Sequence, residues 1–535
     1  MNTLRSFVSK YKQYFYFIAM AIMAIALPVS EFLMSISIFA LAIAWLLNGP
    51  KKTQWQAFNQ NKLAWITVSI FLIEVVGLIN TSNYDYAFSE LRNKLPLLLV
   101  PVFIAPARFS NKEFKGLLAL FVGSTMVGSL ICFINYQFYL KDNLINFREV
   151  SIFISHIRFG LMINLSILIL IYYAIILKNK WSFALLAMTF WFGYFLLFLG
   201  SGNGYFIFGV LLLVGFIALI IKSPYTKIGI GVGFLFILFN LYVGILSNDA
   251  YHSYFVPRDV AYNNPDNIQK KNERGHRLSS NINNKHLQNG YFVWRNITRK
   301  ELKKEWGKRA DEKYLTHDIK QQIVMGTLIK YLTSKGYPKD SVGASMLSDQ
   351  DIKNIEMGFT DYRQENWNNL EVRVDHFFFQ LYAIVNQKNP GGKPFMQRLY
   401  YLEGAFSIIE NNFFFGVGTG DIQDEFDNYY KEDQSKLQSQ YRVRTHNQFL
   451  TYFITLGIFG FIWFLYATIY PLIRFSRLNF ILAVAQLVLL LSFLTEDTLE
   501  TQPGVTLYAF VIALGIIAIN MKKSELQKRR SFTRN

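Results

Sequence analysis

The chain has 535 residues, of which 52% are hydrophobic and 17% aromatic, while only 17% are charged. Soluble domains carry about a quarter charged residues, so this composition favours a membrane protein, and its apolar content excludes a disordered chain. Because Cys132 is the single cysteine, an intrachain disulfide and a zinc or iron–sulfur site built from cysteines are excluded as well.

Twelve apolar segments are candidates for membrane-spanning helices, which need roughly 20 mostly apolar residues. The fourth segment is short, which suits a tilted or re-entrant helix. The pattern predicts an all-α polytopic membrane protein with about 12 transmembrane helices. These lie near residues 14–30, 32–48, 63–80, 95–107, 115–137, 158–177, 182–199, 204–221, 228–247, 447–471, 478–494 and 504–521.

The basic residues between these helices predict the orientation of the chain. With a cytoplasmic N-terminus, the inner segments hold 21 Lys and Arg, whereas the short outer loops hold five. Cytoplasmic loops are enriched in positive charge, so both termini are expected in the cytoplasm. The net charge of +18 is therefore interpreted as a topology signal, and no nucleic-acid partner is expected. The five outer basic residues are Arg92, Lys94, Lys141, Arg148 and Arg158.

A polar segment at residues 248–446 separates helices nine and ten. Its 28 basic and 25 acidic residues make it nearly neutral, which permits translocation of so long a segment. We predict four parts: helices 1–9 in residues 1–247, a large periplasmic loop domain in 248–446, helices 10–12 in 447–521 and a basic cytoplasmic tail in 522–535. Helical spacing predicts that the loop domain is mainly helical. The predicted helices are Thr298–Arg309, Ile319–Thr333, Ser348–Gly358, Leu370–Val385 and Gln397–Glu410.

The strongest local constellation is the run Arg442–Asn447, where the loop domain enters helix ten. Here His446 lies between Arg444 and Asn447 at the expected membrane boundary. Neighbouring positive charge favours neutral imidazole, which accepts a proton as a general base. The alternative is a polar cap that starts the helix. No two histidines have the i, i+4 spacing of a helical metal site, so no protein-built metal site is expected.

Arg158, with His156 at the entrance of helix six, is a candidate for binding a diphosphate ester near the same face. Arg398 begins an amphipathic helix in the loop domain and by itself would be an ordinary surface arginine. A guanidinium forms paired hydrogen bonds with phosphate, although a boundary arginine also contacts lipid headgroups non-specifically. A group of acidic residues after helix eleven is expected to pair with such arginines. The group consists of Glu496, Asp497 and Glu500.

Two further signals are weaker. The glycine-rich stretch Gly416-Val417-Gly418-Thr419-Gly420-Asp421 is interpreted first as a tight turn, with a phosphate-binding backbone nest as the alternative. Glu74 is the one acidic residue inside a predicted span. A buried carboxyl with a polar neighbour is the ordinary case, and a proton-relay group is the alternative.

Together these motifs resemble the bacterial O-antigen ligase family, in particular its Bacteroidota-type members, along nearly the whole chain. The resemblance rests on Gln397–Tyr401, Phe415–Asp421, Arg444–Leu450 and Gly457–Gly460, in that order. Three other stretches, Asn289–Trp294, Leu332–Gly336 and Ile352–Gly358, look like a lineage-specific insertion of the family.

The resemblance implies an enzyme that moves a glycan from undecaprenyl diphosphate to a sugar hydroxyl of lipid A–core. The reaction would take place at the periplasmic face of the bacterial inner membrane, with inversion and without metal or other cofactor. His446 would be the general base, and Arg398, Arg158 and Arg444 would bind the diphosphate. Besides the two substrates the expected contacts are with membrane lipid, and a monomer is expected. The supporting residues would be His156, Asn447, Gly416, Gly418, Gly420, Asp421 and Glu496.

One arginine of the family pattern is missing. It would follow a serine near Ser201-Gly202-Asn203-Gly204, and Arg158 is the candidate to replace its charge. The same donor chemistry also serves two alternatives, an O-antigen polymerase and a protein O-oligosaccharyltransferase. A transporter of lipid-linked oligosaccharide is a further alternative, but it predicts charged residues through the spans, where Glu74 is the one observed.

Overall fold

A computed structural model describes most of the chain. Lys141, the start of the predicted helix Ile319–Thr333 and the last residues of the predicted tail lie outside the described residues. Within the part that is described, helices dominate, and the sheet structure is one two-stranded hairpin. The described ranges are 2–140, 147–177, 179–221, 226–258, 270–272, 274–310, 314–318, 322–386, 390–391, 393–432 and 437–532.

The helices are numbered in chain order. The first ten are α1 (Asn2–Ala26), α2 (Glu31–Leu47), α3 (Lys51–Asn59), α4 (Lys62–Val76), α5 (Tyr84–Ile104), α6 (Asn111–Asn135), α7 (His156–Leu177), α8 (Trp181–Leu199), α9 (Gly202–Ile221) and α10 (Thr226–Phe255). The hairpin strands β1 (Leu287–Gln288) and β2 (Tyr291–Phe292) follow. The others are α11 (Arg299–Trp306), α12 (Val324–Ser334), α13 (Ser341–Ser345), α14 (Asp349–Glu356), α15 (Asn369–Val385), α16 (Pro394–Asn411), α17 (Ile422–Glu432), α18 (Gln448–Ser476), α19 (Phe480–Phe493) and α20 (Gln502–Phe532).

Seven helical segments of the described chain are long and apolar enough to cross a bilayer. The count becomes eight if α2 and α3, which are bent by 117° at their junction, form one broken span. Three shorter apolar helices lie at Gln13–Ala26, Gly202–Ile217 and Phe480–Phe493. The prediction of an all-α multi-pass membrane protein is therefore confirmed, whereas the predicted number of twelve spans is not.

The chain divides into two compact units. Unit 1 contains the described residues of 1–143, 147–211 and 390–535, and unit 2 those of 212–389. Residues 390–446, which the sequence groups with the loop domain, thus belong to unit 1, and α10 belongs to unit 2. Two separate stretches of sequence form unit 1 because unit 2 is inserted between them along the chain.

The core of unit 1 is built around α20, whose residues from Val505 to Leu514 are all buried. Helix α8, in contrast, leaves Phe183 and Phe190 about four-fifths exposed, at 77% and 81%. Large exposed aromatic rings on an apolar helix are unfavourable in water and favourable in lipid. This distribution suits a helix bundle whose outer faces contact a bilayer.

Helix α5 differs from its prediction. It begins at Tyr84, eleven residues before the predicted segment 95–107, because the Asn83 side chain caps it by accepting from the Tyr86 N–H. As a result Lys94 lies inside the helix and its side chain is only 3% exposed. The expectation that Lys94 belongs to an outer loop is wrong, since carboxylates inside the bundle compensate its charge.

Unit 2 has its own hydrophobic core. Leu302 and Trp306 of α11 pack with Leu328 and Tyr331 of α12 and with Ile355 of α14. Beside this core β1 and β2 are joined by Asn289-Gly290, both with positive φ (52° and 80°), which is the backbone of a type I′ turn.

The predicted loop-domain helices are confirmed, with ends that differ by at most five residues. The observed counterparts are α11, α12, α14, α15 and α16. The sequence did not predict α13, α17 or the hairpin.

Candidate functional site

The site is centred on a buried carboxylate of unit 1, Glu496, which contacts both His446 and Arg398. Its Oε1 lies 3.0 Å from Arg398 Nη2, and its Oε2 lies 3.6 Å from His446 Nδ1, an ion-pair distance longer than a hydrogen bond. The Glu496 side chain is 8% exposed, whereas those of Arg398 and His446 are 41% and 40% exposed. One acidic group therefore orients a base and a cation that both reach solvent.

Arg398 is positioned by α16. This helix has Pro394 in its first turn, where a missing N–H costs nothing, and Arg398 follows one turn later. Tyr401, on the next turn, is buried and donates from its hydroxyl to the Tyr441 carbonyl at 2.8 Å. The Tyr401 ring also packs against His446, with 5.8 Å between ring centroids.

His446 has an unusual backbone conformation. Its φ is +51°, in the left-handed region that residues other than glycine rarely adopt. The following residue holds this turn in place, because the Asn447 side chain caps α18 by accepting from the Phe449 and Leu450 N–H groups. The Asn447 amide also donates to the Leu494 carbonyl at 3.1 Å. Strain of this kind is typical of residues whose direction matters for function.

The charge of Glu496 is favoured by its surroundings. Burial raises the pKa of this carboxyl, but His446, Arg158 and Arg398 together hold it below its ordinary value. Glu496 is therefore ionised at neutral pH. Its ionised oxygens accept only, so the Nδ1 that faces it is the nitrogen suited to carry hydrogen, which leaves Nε2 to accept a proton.

Arg158 lies near this group, in the first turn of α7. Its side chain is buried, with Nε donating to Thr501 Oγ1 at 3.1 Å and Nη2 donating to the Asp497 carbonyl at 3.0 Å. Its Nη1 is buried and has no hydrogen-bond partner among the described residues. A buried guanidinium with an unused donor is a costly arrangement that a bound anion would relieve.

A second charged cluster is buried in the same unit. Lys94 Nζ lies 2.6 Å from Glu74 Oε1 and 3.1 Å from Glu500 Oε1, and all three side chains are at most 3% exposed. The Gln448 amide at the head of α18 also donates to Glu500, at 2.8 Å. The cluster thus ties α4 and α5 to the loop that precedes α20 and to the helix that follows His446.

Arg444 belongs to this cluster and does not join Arg398 at Glu496. Its Nη1 lies 3.6 Å from Glu90 and 3.7 Å from Glu500. Lys94, Glu90 and Arg444 outweigh burial and hold the pKa of Glu500, in the loop before α20, below its ordinary value. The Glu500 carboxylate is therefore charged and attracts the Arg444 guanidinium.

Residues 370–465 match a family model described as O-antigen ligase. Over this segment, called the O-antigen ligase segment below, the chain is similar to the O-antigen ligase family. The matched segment contains Arg398, the glycine-rich turn, Arg444 and His446, which are residues that carried the resemblance in the sequence. No curated protein matches the chain.

The glycines of the O-antigen ligase segment form a turn that is fixed to two other elements. Gly418 has a φ of +97° and donates its N–H to the Thr455 carbonyl at 2.9 Å, where α18 is broken at Gly457. Gly420 donates to Thr81 Oγ1 at 3.2 Å. Gly416 likewise has a positive φ, of 70°, and donates its N–H at 2.9 Å to the carbonyl of Asn412, the residue that directly follows α16. These N–H groups are used within the protein, which favours the tight turn over a phosphate nest.

Asp421 completes the turn. Its two carboxylate oxygens accept from the Ser82 and Asn83 N–H groups at 2.6 and 2.7 Å. Asp421 thereby joins the O-antigen ligase segment to the start of α5, the helix that carries Glu90 and Lys94. Asp421 therefore holds the backbone at the start of α5 in place, and it lies apart from the ion pair of His446.

Several residues of the site were missed or misplaced from the sequence. His156 is half-buried at the start of α7, two residues before Arg158. Glu90, Lys94 and Tyr401 were not predicted as site residues. The one signal for Glu90 and Lys94 was their spacing of four residues, which places two side chains on the same face of a helix. Hydropathy alone predicts a helix that begins after both residues.

The described residues contain no group of three or more His, Cys, Asp or Glu side chains arranged to hold a metal ion. Two cationic side chains of the site could contact an anion: Arg398 is partly exposed, and Arg158 has a buried donor without a hydrogen-bond partner among the described residues.

Proposed function

We propose that this protein is an inverting membrane glycosyltransferase of the O-antigen ligase type. It transfers a glycan from undecaprenyl diphosphate to a sugar hydroxyl of lipid A–core at the periplasmic face of the inner membrane. The observation that carries the proposal is the contact of one carboxylate, Glu496, with both His446 and Arg398. The match of residues 370–465 to the O-antigen ligase family model supports it.

In the proposed reaction His446 is the general base. Its Nε2 takes the proton of the acceptor hydroxyl while that oxygen attacks the anomeric carbon of the donor glycan. The imidazolium that forms is stabilised by Glu496, which faces Nδ1. A single displacement on the face opposite the leaving group inverts the anomeric carbon.

The bond that breaks joins the anomeric carbon to the diphosphate, which leaves with the electron pair. Arg398, half-exposed beside His446, and the unused Nη1 of Arg158 are proposed to bind its oxygens and stabilise the charge that develops there. Because a polyprenyl diphosphate is already an activated donor, no nucleotide is needed. Arg444 is proposed to position the loop before α18, since Glu90 and Glu500 engage it.

The experiment uses purified full-length protein with a defined undecaprenyl-diphosphate glycan and lipid A–core, without nucleotide and with EDTA. We expect product with the wild-type chain and at least a 100-fold lower rate with His446→Ala, because the loss of a general base typically costs 10²- to 10⁴-fold. The matched control is His376→Ala, an exposed histidine of the same family segment. Ligation by His446→Ala at the wild-type rate would refute the proposal.

The acceptor is tested separately. If lipid A–core gives no product, a glycan end or a protein serine or threonine replaces it in the same assay. Product with one of these alone would assign the chain to polymerase or O-oligosaccharyltransferase chemistry and refute the ligase assignment, while retaining the donor site.

A further inference from the structure

Unit 2 contains a polar cavity that the proposed transfer reaction does not use. Its volume is about 340 Å³, which lies within the range of roughly 300–1,000 Å³ typical of sites for small molecules. Four of its lining residues belong to two stretches that the sequence singled out, Asn289–Trp294 and Leu332–Gly336. Its lining residues are Arg258, Asn289, Tyr291, Ser334, Lys335, Tyr337 and Tyr362.

The backbone around this cavity is held by two glycines with positive φ. A Cβ at Gly290 would lie 2.7 Å from Arg258 Cγ, and a Cβ at Gly336 would lie 3.0 Å from the Tyr291 ring. The side chain of Asn289 further joins the hairpin turn to the end of α12, because its amide donates to the Ser334 carbonyl at 2.9 Å. The walls are thus close-packed and preformed, which reduces the entropy lost when a ligand binds.

Two cations lie at the cavity. Arg258 is exposed, donates to Asn289 Oδ1 at 3.2 Å, and has its guanidinium carbon 5.3 Å from the centre of the Tyr291 ring. Lys335 is paired at 2.7 Å with Asp351, which is buried behind it. The described lining residues thus include two cationic side chains and no Asp or Glu.

Three tyrosines determine which anion fits. Tyr337 and Tyr362 have their ring centres 5.6 and 5.9 Å from Lys335 Nζ, and Tyr362 is 40% exposed. Each tyrosine combines an apolar ring face with a hydroxyl that donates and accepts. Sugar rings present C–H groups to such a face and hydroxyls to such polar groups, whereas a bare inorganic anion would use only the cations.

We propose that unit 2 binds an acidic saccharide in this cavity, with its carboxylate or phosphate against the Arg258 guanidinium and its sugar ring against the tyrosines. The site binds and does not transfer, and it lies in a different unit from His446. It extends the proposed function without depending on it, since binding can occur whether or not the protein ligates glycans.

The test measures saturation transfer by NMR from the full-length protein in detergent to small glycosides. The probes are the methyl glycosides of glucuronic, galacturonic and N-acetylneuraminic acid, with methyl glucoside as the neutral match of the first. We expect transfer to the ring protons of at least one acidic glycoside, and at least fivefold weaker transfer to the neutral one, because a charge-assisted bond to guanidinium is lost.

Two variants remove different parts of the site. Arg258→Gln removes the cation and Tyr362→Ala removes an exposed ring; each is expected to reduce the signal of the acidic glycoside at least fivefold. The control Arg299→Ala replaces an exposed arginine of the same unit outside the cavity and is expected to leave the signal unchanged. His446→Ala is also expected to bind as the wild type does.

The proposal is overturned if none of the acidic glycosides receives saturation, or if the signal is equal in the wild type and both cavity variants. Equal saturation transfer to the neutral methyl glucoside would overturn the claim that the cavity recognises the acidic group of the saccharide. These results are distinguishable from failure of the proposed function, which is judged by product formation and by His446→Ala in the ligation assay.

Discussion

The contact of Glu496 with His446 makes a direct prediction for the variant Glu496→Gln. Glutamine keeps the shape of the side chain and an oxygen for Arg398, but it removes the negative charge 3.6 Å from His446 Nδ1. If His446 becomes positively charged in the transition state, the carboxylate stabilises that state more than the ground state. The variant should then lower kcat and leave KM for the lipid donor nearly unchanged.

The size of the effect follows from the distance and the exposure. Two unit charges 3.6 Å apart interact by roughly 4–5 kcal/mol at an effective dielectric constant of about 20. Since 40% of the His446 side chain is exposed, water screens part of this interaction, and we take about half of it. A loss of roughly 2–3 kcal/mol corresponds to a decrease in kcat of about 100-fold.

The assay is the ligation reaction with saturating acceptor and a series of donor concentrations, which separates kcat from KM. Glu403→Gln is the matched control, because Glu403 is an exposed glutamate on α16, the helix of Arg398. Arg398→Ala provides the opposite pattern, since removing a diphosphate-binding cation should raise KM for the donor.

A kcat of Glu496→Gln within threefold of the wild type would refute the reasoning, because the carboxylate would then not stabilise a charged His446. The same conclusion would follow if Glu403→Gln lost as much activity. A rise in donor KM with unchanged kcat would place Glu496 in donor binding through Arg398 instead.

Three further predictions concern stability. Lys94→Met should lower the free energy of unfolding by about 3–5 kcal/mol by leaving buried carboxylates without their cation, seen as a lower Tm in detergent; an unchanged Tm would contradict it. Gly418→Ala should lower both Tm and ligation, because its Cβ would lie 2.5 Å from a backbone oxygen, whereas Gly123→Ala, with open space around it, should be neutral. Burial and a neighbouring carboxylate raise the pKa of Asp375 to about 7, so the folded state binds a proton that the unfolded state releases near pH 4. The Tm should therefore fall as the pH rises from about 4 through 7, and Asp375→Asn should abolish this slope between pH 5 and 8.5.

The site residues that the sequence predicted have one property in common: each was recognised from the residues next to it along the chain. His446 and Arg398 are recognised from short motifs at helix entrances, and Glu496 from its place in an acidic loop. The side chains that form ion pairs with these residues were harder to predict from the sequence. The sequence suggested that cations beside His446 govern its charge, but Arg444 is engaged by Glu90 and Glu500, and the ion-pair partner of His446 is a carboxylate.

The helices were predictable because an apolar stretch of about 20 residues has few alternatives in a membrane. The limits of α5 were not, because hydropathy treats Lys94 as the end of a span. That lysine is buried since Glu74, 20 residues earlier, and Glu500, more than 400 residues later, compensate its charge. Such compensation is a property of the folded bundle, and no local window of sequence contains it.

The positions of these three charges along the chain also affect how the protein is made. Glu74 and Lys94 lie on neighbouring helices, so they are synthesised within moments of each other and can enter the bilayer as a neutral pair. Glu500 follows 406 residues after Lys94, which at about 5–20 residues per second is a delay of roughly 20–80 s. During that interval the early helical hairpin of α4 and α5 has to persist with its lysine held by one carboxylate. When the last helices are synthesised, Glu500 forms its ion pair with Lys94 and stabilises a bundle that is already inserted.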